Sequence, residues 1–353
     1  MGIILNSILL LILHSARKYC YPKAEEAMSV AAKISSIPGI LCLCLLLAPR
    51  IGRSQDIKVQ VDMVSLPVVV TDAGGNHIRD LRKEDFQVFE DGIPQQIVGY
   101  AAVEEPISVA LTLDTSGSTE FQLGRIRQEA MRFIRLLRDE DSAAIITFAD
   151  EVTLLEPFNI YHKKNPDALR KLKPGGLSAV YEAVWLSIEQ VLNLEYGRKA
   201  LVFFSDGVDT RSETVTQEET LELARKTDVT IYCIYFNTNK DRNKRMPPII
   251  DPLMAQWPPV RIPTGRGKKP EYAAGRGYML QLAQYSGGTF VDASAIENLG
   301  AAFGRIAQEL RSQYSIGYYP SDRAQDGRFR KLEVRVKRPG LTARTRQGYY
   351  FVR

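Results

Sequence analysis

Four short runs are apolar along almost their whole length, Ile107 to Leu113, Ala143 to Phe148, Ala200 to Phe204 and Val229 to Phe236, and segments of helical period separate them. Strands with no polar face must be covered on both sides, which is the signature of a parallel sheet. The segments Phe121 to Leu137, Ala179 to Leu194, Gln217 to Lys226, Arg276 to Tyr285 and Ile296 to Gln313 supply the cover. The pattern therefore predicts an α/β fold with a doubly wound, mostly parallel sheet, and such sheets take ligands at the carboxyl ends of their strands.

Both flanks follow a different period. From Ile57 to about Val103 the apolar residues alternate, as in Val64, Leu66, Val68 and Val70, with turns at Asp72-Ala-Gly-Gly-Asn76 and Glu90-Asp-Gly-Ile-Pro94. Leu81 to Phe86 reads as a short connector into a strand, Gln87 to Glu90. Period two returns in Tyr314 to Tyr319, Arg330 to Val336 and Leu341 to Phe351, with a turn at Asp326-Gly327. Strands at both chain ends predict one small β-sandwich-like unit into which the α/β domain is inserted. The organisation expected is a targeting segment over 1–55, an N-terminal β unit over 57–103, the α/β domain over 106–312 and C-terminal strands over 313–353. Within the domain, 237–275 is rich in Pro, Lys, Arg and Gly and reads as a solvated insertion.

The first 54 residues hold six basic and two acidic residues, a net of +4 out of the chain's +5, so the remainder carries only +1. A nearly neutral body gives no electrostatic footprint for nucleic acid. Ile40 to Ala48 has the length of a signal-peptide core and is too short for a comfortable membrane span; Met28 stands where such a peptide would begin. We therefore expect an exported protein, periplasmic, envelope-associated or secreted, with a membrane tether if this segment is retained. Cys20, Cys42 and Cys44 fall in that segment and leave Cys233 alone in the mature chain, so an internal disulfide there is excluded.

The chemistry concentrates at strand tips. Ser108-Val-Ala-Leu-Thr-Leu-Asp114-Thr-Ser116-Gly-Ser118 ends an apolar run with a carboxylate and two hydroxyls at i, i+2 and i+4. These are hard oxygen donors of the kind magnesium prefers. Taken alone, the pattern also describes a turn that caps the next helix. Two further loops strengthen it: Ser205-Asp206-Gly207 ends the run at Ala200 to Phe204, and Gly175-Gly176-Leu-Ser178 brings a hydroxyl to a glycine-rich junction with a helix.

In this order and on this frame, the three loops resemble the metal-ion-dependent adhesion site of von Willebrand factor A domains, over roughly Pro106 to Gln313. The resemblance implies a Rossmann-like A domain with Ser116 and Ser118 coordinating a cation directly, and Asp114 and Asp206 acting directly or through water. Ser178 stands where the family usually has threonine. It implies Mg2+, or Mn2+ or Ca2+ in its place, with the open position filled by an acidic side chain of a protein partner. Asp85-Phe-Gln-Val-Phe-Glu-Asp-Gly92 and Gln313-Tyr-Ser-Ile-Gly-Tyr-Tyr-Pro320 resemble exported bacterial A-domain proteins, numerous in acidobacteria.

Catalysis is not expected. A haloacid-dehalogenase-type phosphotransferase needs a second carboxylate where this chain has Ser116; no glycine-rich phosphate loop opens a helix; and no Gly-x-Ser-x-Gly elbow is present. The function expected is cation-dependent protein interaction or adhesion, with no small-molecule substrate. The competing reading is an envelope scaffold in which the metal only stabilises the loops. Asp209 is expected to be a turn or capping residue rather than a ligand, Glu182 a solvated helix position, and Tyr181 and Trp185 core residues.

Overall fold

The computed structural model describes residues 63–102, 105–159, 167–237, 272–322, 324 and 326–351. The targeting segment, with Met28 and three of the cysteines, and nearly all of the 237–275 insertion lie outside the described residues. The chain begins with β1 (Val64–Thr71), β2 (Phe86–Glu90), β3 (Ile93–Gln95) and β4 (Ile97–Ala101). The α/β part runs β5 (Ile107–Asp114), α1 (Leu123–Leu136), β6 (Ser142–Phe148), β7 (Val152–Asn159), α2 (Asp167–Arg170) and α3 (Val180–Leu186). It continues through β8 (Arg198–Ser205), α4 (Gln217–Lys226), β9 (Thr230–Tyr235), α5 (Tyr272–Ser286), β10 (Phe290–Asp292) and α6 (Leu299–Leu310). The last strands are β11 (Gln313–Tyr318), β12 (Phe329–Val336), β13 (Thr342–Arg344) and β14 (Gly348–Tyr350).

The central sheet has the order β10-β9-β8-β5-β6-β7, parallel except for β7. Alternate residues of β5 serve opposite faces, as strand geometry requires. Val109, Leu111 and Leu113 pack with Ile126 and Phe133 of α1 and Phe303 and Ile306 of α6. On the other face, Ala110 lies in the cluster of Val184 from α3 and Met279 and Leu282 from α5. After β5 the chain moves to one side for β6 and later returns to the other side for β8. The tips of β5 and β8 therefore border a topological switch point, where open α/β sheets form their crevice.

The two chain ends make a pair of antiparallel sheets, β13-β1-β11-β4 and β14-β12-β2-β3. Strand β1 pairs with β11 from Val64 opposite Tyr318 to Val69 opposite Gln313, and β12 pairs with β2. Leu66, Val68, Phe86, Val88, Ile316 and Val334 are among the residues of their shared core. The sandwich-like unit anticipated from the alternation is thus present. Leu341 to Phe351 is not one strand, however. It divides into β13 and β14, which join different sheets, and Arg346 between them is buried against the carbonyls of Thr227 and Ser65.

Two helices also differ from the periodic reading. The stretch read as a helix over Ala179 to Leu194 is helical from Val180 but leaves the α form at Ser187, passing through a π turn and a short 3-10 turn. Ser187 Oγ bonds the Ala183 carbonyl at 2.6 Å and Thr112 Oγ1 of β5 at 2.8 Å, a side-chain claim on the helix that hydropathy does not register. The last helix stops at Leu310, and Gln313 already belongs to β11. By contrast, α4 begins where its capping box stands: Thr216 N donates to Glu219 Oε2 at 2.8 Å and Glu219 N to Thr216 Oγ1 at 3.3 Å.

A charged knot joins the two sandwich sheets. Glu90 of β2 and Arg330 of β12 are 3 % and 1 % exposed and 2.8 Å apart. Tyr318 from the opposite sheet donates to Glu90 at 2.5 Å, and Tyr349 donates to the same oxygen at 2.8 Å. Burial and the bond to Glu90 push the Tyr318 hydroxyl far above its ordinary pKa, so it remains a donor. Glu90→Ala is expected to cost about 3–5 kcal/mol in urea unfolding, because the buried Arg330 loses its buried counter-ion and keeps only the longer contact to the half-exposed Asp322 at 3.7 Å and two backbone carbonyls. The double variant Glu90→Leu/Arg330→Met should lose less than Glu90→Ala alone, and a larger loss would show that the pair is not the source of the cost.

Candidate metal centre

Every residue of β5 is buried, so the strand delivers Asp114 to its carboxyl end with no exposed surface on the carboxylate. The turn that follows folds back on this group. Ser116 donates to Asp114 Oδ1 through its amide at 2.9 Å and its hydroxyl at 2.6 Å. Thr119 Oγ1 closes the turn onto the carbonyls of Asp114 and Ser116, at 3.2 and 2.9 Å. The second carboxylate oxygen, Oδ2, accepts from Ser205 at 2.7 Å and from Ser178 at 3.3 Å. Ser118 Oγ lies 3.1 Å from Ser116 Oγ and 3.4 Å from Asp206 Oδ2.

All five residues singled out in the sequence, Asp114, Ser116, Ser118, Ser178 and Asp206, thus converge in one hydrogen-bonded cluster drawn from three loops. The loops hold one another in place. Thr115 N bonds the Phe148 carbonyl at the tip of β6, Gly175 N bonds the Thr115 carbonyl at 2.7 Å, and Gly117 N bonds the Gly176 carbonyl at 3.0 Å. Asp150 accepts from the amides of Gly176 and Leu177 at 2.8 and 3.0 Å, and these bonds hold its carboxyl below the usual range. Asp209 accepts from Val180 N at 2.7 Å and Tyr181 N at 3.3 Å, capping α3 as expected. Glu182 is not simply solvated: its Oε1 receives Glu213 N, Thr214 N and Thr214 Oγ1 at 2.9–3.0 Å and so clamps the loop after Asp206.

Burial raises the pKa of Asp114, opposed by its bonds from Ser116, Ser205 and Ser178. Among the described residues no lysine or arginine pairs with it. A fully buried carboxylate served only by hydroxyls and an amide is electrostatically incomplete, and a cation in contact with it would supply the missing charge. No group of three or more His, Cys, Asp or Glu side chains is assembled as a metal site among the described residues. The donor set here is instead two carboxylates and three hydroxyls, which suits a hard cation that keeps some of its water.

Residues 108–250 match the family model of the von Willebrand factor type A domain. The α/β unit has the von Willebrand factor A fold.

Structures similar to this chain include proximal thread matrix protein 1 from the mussel byssus with a zinc-occupied MIDAS motif. It is 16% identical, with 62% of this chain and 48% of that one covered and a TM-score of 0.43. The vWF domain of the type V pili tip protein Mfa5 from Porphyromonas gingivalis is 12% identical, with coverages of 57% and 94% and a TM-score of 0.41. A von Willebrand factor type A protein from Catenulispora acidiphila is 11% identical, with coverages of 76% and 72% and a TM-score of 0.44. The chain spans about half the length of the mussel proteins it matches. No protein of curated function matches the sequence.

Sequence reasoning missed Ser205, Asp150 and Thr210 of the A domain. Ser205 makes one of the shortest contacts to Asp114, yet only the β5–β8 register brings it alongside. Thr210 Oγ1 receives Ser178 N at 2.9 Å and so fixes the middle loop to the third. One glycine in that third loop is dictated by packing. Gly207 has φ +73°, and a Cβ there would lie 2.5 Å from the carbonyl oxygen of Gly275 in α5. Gly207→Ala is expected to destabilise the chain by at least about 1–3 kcal/mol. Gly197→Ala, also at positive φ but with nothing within 4 Å of the new Cβ, provides the comparison. Equal losses for the two in denaturant titration would show that the α5 contact does not constrain the Asp206 loop.

Proposed function

We propose that the A domain binds a divalent cation at Asp114, Ser116, Ser118, Ser178 and Asp206 and uses it to engage an acidic side chain of a protein partner. The observation that carries this reading is the buried Asp114 carboxylate, held by hydroxyls from all three loops and, among the described residues, paired with no basic residue. Ser116 and Ser118 would offer neutral oxygens to the ion, Asp114 and Asp206 would balance its charge, and Ser178 would complete the set. When bound, the ion supplies a Lewis-acidic position for an incoming carboxylate, with magnesium the first candidate. Few carboxylates in the set leave that position electrophilic.

The rest of the centre favours binding over catalysis. Its hydroxyls already donate to carboxylates, and no histidine is among the residues that build it. Export to the envelope or beyond is part of the same proposal and rests on the apolar stretch at Ile40 to Ala48. Among the described residues, no helix is long and apolar enough to cross a membrane.

Calorimetric titration with magnesium tests the reading. The intact chain should give a saturable heat, which Asp114→Ala removes without loss of the folded circular-dichroism spectrum. Ser205→Ala, which strips a bond from the carboxylate but no donor from the proposed set, should weaken the metal about tenfold. Unchanged magnesium affinity in Asp114→Ala would overturn the assignment. Chelation then separates adhesion from scaffolding. Cation-dependent capture of a partner at unchanged melting temperature supports adhesion; a large fall in melting temperature with no partner lost supports a structural metal.

A further inference from the structure

A second concave site lies at the other end of the sheet. The turn after β1, the exposed side of α6 and Arg344 of β13 enclose a cavity of about 980 Å³. Thr289, at the amino end of β10, forms part of its wall, whereas the Asp114 cluster sits at carboxyl ends. The acidic groups of the cavity are already matched. Glu309, 3 % exposed, accepts from Thr289 Oγ1 at 2.8 and 3.0 Å and from Arg344. Asp80 pairs with Arg338 at 3.1 Å.

Its remaining basic groups are not matched. Arg79 makes a hydrogen bond from Nε to Ser312 Oγ at 2.8 Å, a neutral partner, and neither Arg79 nor Arg305 has an ion pair among the described residues. His77 lines the same cavity, its Nδ1 buried and without a hydrogen-bond partner. Burial holds the imidazole below its ordinary pKa; Glu309 opposes this, and the charges of Arg79, Arg344 and Arg305 add to it. His77 is therefore neutral at pH 7, and with Glu309 matched by Arg344 and Asp80 by Arg338 from outside the wall, Arg79 and Arg305 are left as two guanidiniums without a carboxylate partner among the described residues, able to offer N–H donors to oxygen pairs.

We infer that this crevice between the sandwich and the last helix of the A domain binds a doubly charged oxyanion, a phosphate-bearing or dicarboxylate small molecule, through Arg79 and Arg305. Pockets at the junction of two structural units are a common place for such ligands, and 980 Å³ leaves room for an organic body behind the anionic group.

Isothermal titration of the full chain, in chelator, with inorganic phosphate and separately with succinate tests the site. At least one anion should bind with a dissociation constant of about 1 mM or tighter. Arg79→Gln and Arg305→Gln should each weaken it about tenfold. The two probes distinguish a phosphate from a dicarboxylate ligand. Ligand-induced shifts of the His77 imidazole resonances should accompany binding, while Asp114→Ala should leave it intact. Absence of saturable binding by both anions, unchanged affinity in the Arg79→Gln/Arg305→Gln variant, or loss of binding in Asp114→Ala would each overturn the proposal.

Discussion

One carboxylate organises the carboxyl-end rim of the central sheet. Asp114 is carried by a wholly buried strand to a place where burial disfavours its charge and, among the described residues, no basic side chain compensates. The surroundings answer with hydroxyls: Ser116 on one oxygen, Ser178 and Ser205 on the other. Each comes from a different stretch of chain, so satisfying one acid requires three loops to adopt one arrangement. The loops are coupled because they share Asp114, and a residue that disturbs any of them is expected to be felt by the others.

Residues further out make this arrangement rigid. Asp150 takes the amides of the Gly176-Leu177 turn, Asp209 takes those at the start of α3, and Glu182 takes those of Glu213 and Thr214. All three acids thus act as acceptors for backbone that would otherwise be unpaired at a loop or helix terminus. Orientation is fixed before any ligand arrives, which lowers the ordering cost of binding.

The fold class was readable because the apolar runs of β5, β6, β8 and β9 are long and uninterrupted, and because the end strands alternate cleanly. What escaped was set by partners distant in sequence. Strand β7 is half-buried, contains Pro157 and lies antiparallel on an edge, so its sequence Val152 to Asn159 has neither a continuous apolar run nor strict alternation. Strand β10 has only three residues. At the centre, the strand-tip and glycine-loop motifs named the three loops that meet around Asp114, but Ser205 was quoted there only as the residue before Asp206 and given no role. Its role exists only because β8 lies beside β5 in a register that places its hydroxyl against Asp114.

The attachment of the sandwich lies at the opposite end of the sheet from the Asp114 rim. Arg198, at the start of β8, donates to the carbonyl of Glu105, just before β5, and to the carbonyl of Leu310 at the end of α6. It also bonds Gln313 Oε1 at 2.9 Å, and Gln313 in turn reaches Thr230 at the start of β9. One guanidinium therefore binds together the chain's entry to the A domain and its exit. All of these contacts fall at amino ends of sheet strands, opposite the tips that carry Asp114 and Asp206. Inserting the domain between sandwich strands in this way ties both termini to one end of the sheet and leaves the sandwich clear of the carboxyl-end crevice.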